Sequence, residues 1–238
     1  MAAAMLVGVS GCRKYSGEEA AQKRADWTAS LHDSIAQVAA QRHTDSLRIE
    51  QLRAEMAENI SRFTMVNNPR EVEPYYILSA FKSQYPLKST GIAARMMKNE
   101  QAEIIAALSG GRFNAIRVTS PQGEVTSDVV PADQALNYTA GGLTTVAFSG
   151  NAADSICEFV AAHREQPLTL EYLQNGSAAK RITLSQNQKQ WIASTWDLCG
   201  ANKETRILEK RMLVSSRKIE ILRLTLNREE AKAVKTDR

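Results

Sequence analysis

From residue 18 to residue 63 the chain contains neither proline nor glycine, and its apolar side chains return every seven residues. With Ile35 as an a position, the a series reads Ile35, Arg42, Ile49, Met56 and Phe63. The d series reads Val38, Asp45, Leu52 and Asn59. A seven-residue repeat draws one narrow stripe along a helix, and such a stripe is buried only against a second one. Arg42 and Asp45 form two polar layers in the middle of this seam. The other end of the chain repeats the pattern. Thr205, Met212, Ile219 and Leu226 fall seven apart, with Leu208, Ser215 and Leu222 between them and charged residues such as Glu209, Lys210, Arg211, Lys218, Glu220 and Arg223 on the flanks. Neither stripe is broad enough to keep a helix folded alone in water. The economical arrangement is an antiparallel coiled coil of the two, since a domain separates them in sequence. Pairing between copies of the chain satisfies the same pattern. Gly200 is expected to mark a kink or break before the second run.

Residues 64–190 hold most of the glycine and proline and all the strand-like runs. Asn67-Asn68-Pro69 is expected to stop the first helix. Short strand candidates follow at 75–81, 92–97, 103–108, 113–119, 124–130 and 144–148. Gly110-Gly111, Pro121-Gln122-Gly123 and Gly141-Gly142 separate some of them. The clearest hairpin joins 168–173 to 178–184 through Asn175-Gly176, a dipeptide that readily takes positive φ. One helix interrupts the strands. It has Asn151 as expected N-cap, Asp154 at the third position, and Ile156, Phe159, Val160 and His163 on one face. Trp191, Ile192 and Trp196 are expected to dock the C-terminal helix onto this domain. The expected fold class is α+β: long N- and C-terminal helices paired as an antiparallel coiled coil, carrying a small, mainly antiparallel β domain with one short helix. The expected boundaries are 13–66, 67–186 and 187–238.

The net charge of +4 lies wholly in residues 191–238, where eleven basic side chains face seven acidic ones. So small an excess, with acids interleaved, describes a solvated helix face rather than a nucleic-acid site, and no basic-aromatic cluster that would stack bases is present. No apolar run approaches the length of a spanning helix. Ser155, Asp154 and His163 contain the residue types of a nucleophilic triad, but all three come from one short helix, with Asp154 and Ser155 on different faces. His32 and His43 are eleven apart with no third ligand near them, which describes surface histidines. The Ser109-Gly110-Gly111-Arg112 loop lacks the Gly-Lys-Ser/Thr ending of a phosphate-binding loop and reads as a turn. Asn137-Tyr138-Thr139 and Asn175-Gly176-Ser177 match glycosylation acceptors. Cys157 and Cys199 lack metal-site spacing, and Cys157 reads as a buried thiol rather than half of a disulfide. These patterns assign no catalytic residue, cofactor or metal.

Residues 1–11 are uncharged and mostly small or apolar, ending in Val9-Ser10-Gly11-Cys12, after which the chain turns polar. This stretch resembles the lipobox of bacterial lipoproteins. The resemblance implies a signal segment 1–12 that is cut and lipidated at Cys12, so that membrane lipid is the first partner. Signal segments usually carry a basic start and run to roughly 15–30 residues, which places the true start codon upstream. The alternative is an apolar N-terminus on a cytosolic protein. Arg13 follows the cysteine in place of the aspartate associated with inner-membrane retention, which points to the periplasmic face of the outer membrane. In an antiparallel pair, Arg228, Lys232, Lys235 and Arg238 would lie beside Cys12, as lipid contacts or as a solvated tail. As a whole the chain resembles uncharacterised coiled-coil lipoproteins of Gram-negative envelopes. Its expected role is a non-enzymatic scaffold, spacer or interaction module with an envelope protein partner or self-association through the coiled coil. Two alternatives remain. One is a ligand-binding lipoprotein with a pocket between the sheet and the helix near Asn151, and the other is a hydrolase-type enzyme.

Overall fold

The computed structural model describes residues 17–68, 73–133 and 135–236, with side chains to Lys232. Cys12 and its lipobox, Arg13, Pro69 and the side chains of Lys235 and Arg238 lie outside the described residues. The fold is α+β. Among the described residues it has a long helix α1 (Gly17–Ile60), ten strands, a short helix α2 (Gly150–Ala162) and a long helix α3 (Gln186–Thr236). The chain divides into two compact units, one of residues 48–207 and one of residues 1–47 with 208–238.

In the larger unit every strand pairing is antiparallel. One sheet has six strands in the order β1 (Phe63–Val66), β2 (Tyr75–Leu78), β3 (Gly91–Met97), β4 (Ala102–Ser109), β8 (Leu143–Phe148) and β7 (Asn137–Ala140). The other has four, in the order β10 (Ser177–Thr183), β9 (Thr169–Gln174), β5 (Ala115–Ser120) and β6 (Gly123–Thr126). The central strand β4 is buried from Ala102 to Leu108, both faces included. Its apolar run from Ile104 to Leu108 is what a strand covered on both sides requires. Helix α2 packs on β4 and reaches β5 and β6. Its Ala153, Ile156, Cys157 and Val160 enter one continuous core with Ile104, Ile116, Phe148 and Tyr172. The Asn175-Gly176 turn takes φ of +50° and +81° and closes the β9–β10 hairpin as expected, with Ser177 opposite Gln174.

Several sequence expectations are corrected. Helix α1 ends at Ile60, before Asn67-Asn68-Pro69, and Phe63 is not its last a residue. Phe63–Val66 instead pairs with β2, Phe63 opposite Leu78, because this β-prone segment gains a ladder partner that the heptad alone does not reveal. Strand β7 was not among the candidates, and the runs 75–81 and 124–130 end early, at Leu78 and Thr126. Helix α2 is capped by Ser149, without a side-chain hydrogen bond, not by Asn151. Gly150 follows at φ +63°, a left-handed turn that glycine makes at little cost and that starts the helix early. Helix α3 passes Gly200 without interruption. A Cβ there would lie 3.4 Å from the Trp196 ring, so the glycine makes room for an indole rather than breaking the helix.

The smaller unit is helical throughout its described residues. Leu31 and Asp45 of α1 and Leu208, Ser215, Ile219 and Leu226 of α3 are buried, while Ile35, Val38, Met212 and Leu222 are half-buried. The expected seam positions of α3 are therefore those that turn inward. Of the two polar layers, Arg42 is exposed and Asp45 is buried. The Asp45 carboxylate accepts hydrogen bonds from Arg211 (Nε to Oδ2, 2.6 Å, and Nη2 to Oδ1) and from Gln41 Nε2 at 2.8 Å. The Arg211 guanidinium is the chief reason its pKa is held below the ordinary carboxylate value.

Candidate functional site

A cavity of about 300 Å³ lies in the larger unit where three segments meet. They are the end of a 3-10 turn (Ser79–Gln84), residues 87–92 leading into β3, and the first turns of α3. Its position follows from how α3 begins. Ser185 and Gln188 form a reciprocal cap: Gln188 N donates to Ser185 Oγ at 3.2 Å, and Gln188 Oε1 accepts from Ser185 N at 2.9 Å. The cap occupies the amide oxygen and leaves Gln188 Nε2 beside Gly91. A Cβ at Gly91 would lie 3.2 Å from that nitrogen, so glycine keeps the cavity open here. The Gly91 carbonyl accepts the Tyr172 hydroxyl at 3.0 Å, tying the cavity wall to the second sheet.

Trp191 forms the inner wall. It is 2% exposed, stacks on Phe81 (centroids 5.2 Å, planes 17°) and meets Tyr85 edge-on at 6.1 Å. Its indole Nε1–H is buried without an acceptor, an arrangement that costs roughly 1–3 kcal/mol unless something accepts that proton. Lys88 on the rim is exposed and makes no ion pair among the described residues. Ser83, Ser89 and Thr90 add hydroxyls, and among the described residues no aspartate, glutamate or histidine lines the cavity. Such a lining offers hydrogen-bond donors and one cation but no acid-base pair. It suits holding an acceptor-rich small anion, not proton transfer.

The residues singled out from sequence fall elsewhere. The space between sheet and α2, where a pocket was expected, is filled: Ala153, Ile156, Cys157 and Val160 are all 0% exposed. Asp154 accepts a hydrogen bond from Lys203 Nζ at 2.8 Å, His163 Nδ1 contacts the Phe159 carbonyl at 2.8 Å, and Ser155 is exposed, so no triad is assembled. His32 lies 4.0 Å from Glu230, His43 is exposed, and no group of three or more potential metal ligands occurs among the described residues. Gly110 takes φ +72° and donates to the Gly142 carbonyl at 2.9 Å, which makes the Gly110-Gly111 segment a turn. Asn137 is buried and donates to the Val130 carbonyl at 2.8 Å, so it is closed to modification in the fold. Cys157 and Cys199 are free and buried. Burial pushes both thiols up, that of Cys199 to about 12, which removes thiolate reactivity. Trp191 and Ile192 lie in the core and Trp196 packs against it, docking α3 as expected.

The cavity was missed from sequence because its walls come from positions nearly a hundred residues apart. The one local signal was the Ser-x-x-Gln cap at 185–188. Among the described residues no helix is long and apolar enough to cross a membrane. No family model, curated protein or solved structure matches the chain.

Proposed function

We propose that the chain is a non-enzymatic envelope lipoprotein, anchored through acylated Cys12 and acting as a scaffold, spacer or interaction module, with α1 and α3 paired as an antiparallel coiled coil. The observation that carries this reading is the smaller unit, in which Leu31 and Asp45 of α1 and Leu208, Ser215, Ile219 and Leu226 of α3 are buried and no strand occurs among the described residues. Asp45 meets Arg211 and His32 lies near Glu230, so positions earlier in α1 face positions later in α3. That order is antiparallel. Forty-four and fifty-one helical residues correspond to about 66 and 77 Å of helix at a ~1.5 Å rise, lengths suited to spacing. The Val9-Ser10-Gly11-Cys12 signature supplies the anchor.

Labelling with radioactive palmitate tests the anchor, with the protein expressed from its own locus. The chain is expected to take up label and to fractionate with the outer membrane. Cys12→Ser is expected to lose the label and leave the membrane fraction. An unlabelled wild type, or membrane retention of the variant, would sink the lipoprotein reading.

One observation favours a second reading, ligand binding. The cavity beside Trp191 combines Lys88 and three hydroxyl side chains with a lining free of carboxylates among the described residues. Small mono- and dicarboxylates are expected to raise the melting temperature of the purified chain, and Lys88→Gln is expected to abolish the shift. No shift across such a panel removes this reading.

A further inference from the structure

The smaller unit leaves a second, unburied stripe on α3. Leu213, Val214, Ile221 and Leu224 are 55, 64, 64 and 53% exposed, whereas the seam residues Leu208, Ser215, Ile219 and Leu226 on the same helix are buried. Val214 and Ile221 are one heptad apart, so the four share the face turned away from the seam. Four large aliphatic residues within about 17 Å of helix form a contiguous stripe of the kind that marks a contact, not the scattered exposure of an ordinary surface. Exposed Lys210, Arg217, Glu220 and Arg228 flank it, three bases to one acid, and make no ion pairs among the described residues.

Helix α1 carries a face of opposite character. Ala29, Ala36 and Ala40 are exposed there beside Asp26, Asp33 and the 53% exposed Leu47. Small side chains let another helix approach closely and receive bulky ones, and the carboxylates suit a basic neighbour. We propose that copies of this chain associate side by side, the outer face of α3 in one copy docking on the outer face of α1 in the next. The proposal rests on the antiparallel pairing proposed above.

The register supports it. Within one copy Asp45 meets Arg211 and His32 lies near Glu230. Interpolating between those two contacts puts Ala36 level with Leu224 and Asp33 level with Arg228. A neighbour at the same height keeps these levels, so Leu224 meets an alanine and the acid meets a base. Pairing α3 with α3 at the same height and in parallel would instead set Lys210, Arg217 and Arg228 of one copy against the same residues of the other, and Glu220 against Glu220, which like-charge repulsion opposes. Because the complementary faces lie on opposite sides of the pair, the contact is head-to-tail. It continues past two copies, to a closed ring or an open row.

Two differently tagged full-length copies, one carrying Ala36→Cys and the other Leu224→Cys, test this when co-expressed and oxidised. A disulfide between the two tags is expected, with little or none in cells expressing either variant alone. Arg228→Asp is expected to reduce that link severalfold, and adding Asp33→Arg to the partner copy is expected to restore it. Absence of the mixed disulfide, or a dominant Leu224→Cys link to itself, would overturn the proposal. A single chain carrying Val38→Cys and Leu222→Cys reports the seam separately. If its internal link forms while the mixed link does not, the side-by-side contact fails and the antiparallel pair stands. If neither forms, the pairing itself fails.

Discussion

Arg95→Met is expected to lower the unfolding free energy of the β domain by about 3–5 kcal/mol, the range for removing one member of a buried ion pair. Arg95 and Glu103 sit directly opposite each other on β3 and β4, 8% and 6% exposed, with Nε 2.5 Å from Oε2. Arg95 also donates to the Tyr85 hydroxyl at 3.0 Å and lies 4.3 Å above the Tyr75 ring. Removing the guanidinium leaves the Glu103 carboxylate inside the sheet without the cation that solvates it. The same pair replaced on both sides, Arg95→Met with Glu103→Leu, is expected to recover most of the loss, because the desolvation cost of both charges disappears. Urea denaturation followed by circular dichroism measures both. A single variant as stable as wild type would mean that water reaches Glu103, and that the pair contributes little.

Trp191→Ala is expected to cost a similar amount, about 3–5 kcal/mol, as large aromatic truncations in a packed core do. The indole lies between Phe81 and Tyr85 and joins the first turns of α3 to the sheet, so its loss opens a void at the point where the helix is seated. Trp191→Phe keeps a ring against Phe81 and removes the Nε1–H that lacks an acceptor. It is expected to lose much less than alanine, and thermal melts of the two variants give the comparison. Equal losses would show that the six-membered ring cannot fill the site; no loss from alanine would show that α3 is seated by Ile192 and Leu198 instead.

The helices, the hairpin at Asn175-Gly176 and most strands were legible because their signals are local. A heptad repeat, a dipeptide able to take positive φ, and an apolar run of strand length each act within a few residues. The errors fall where a partner distant in sequence decides. Phe63 satisfies the heptad as well as it satisfies β1, and only pairing with Leu78 makes it a strand residue. Asn151 and Ser149 are equally good caps by residue type, and Gly150 lets the chain turn two residues sooner. Gly200 reads as a breaker in isolation and becomes the seat of the Trp196 ring once packed. Asp45 and Arg42 both read as polar layers, and the structure buries only the one for which Arg211 supplies a counterion. The cavity beside Trp191 had almost no sequence signal, since Lys88, Gly91 and Gln188 converge only when β3 and the start of α3 are brought together.

The amino-acid sequence by itself therefore determined the helical ends, the stripe each would bury and the strand-rich middle, because periodicity is a property of neighbouring residues. The tertiary structure alone decided the order of strands in two sheets, the burial of the Arg95–Glu103 pair and the donor-lined cavity. Each of those depends on which distant surfaces exclude water from one another, and that is settled only by the packed whole.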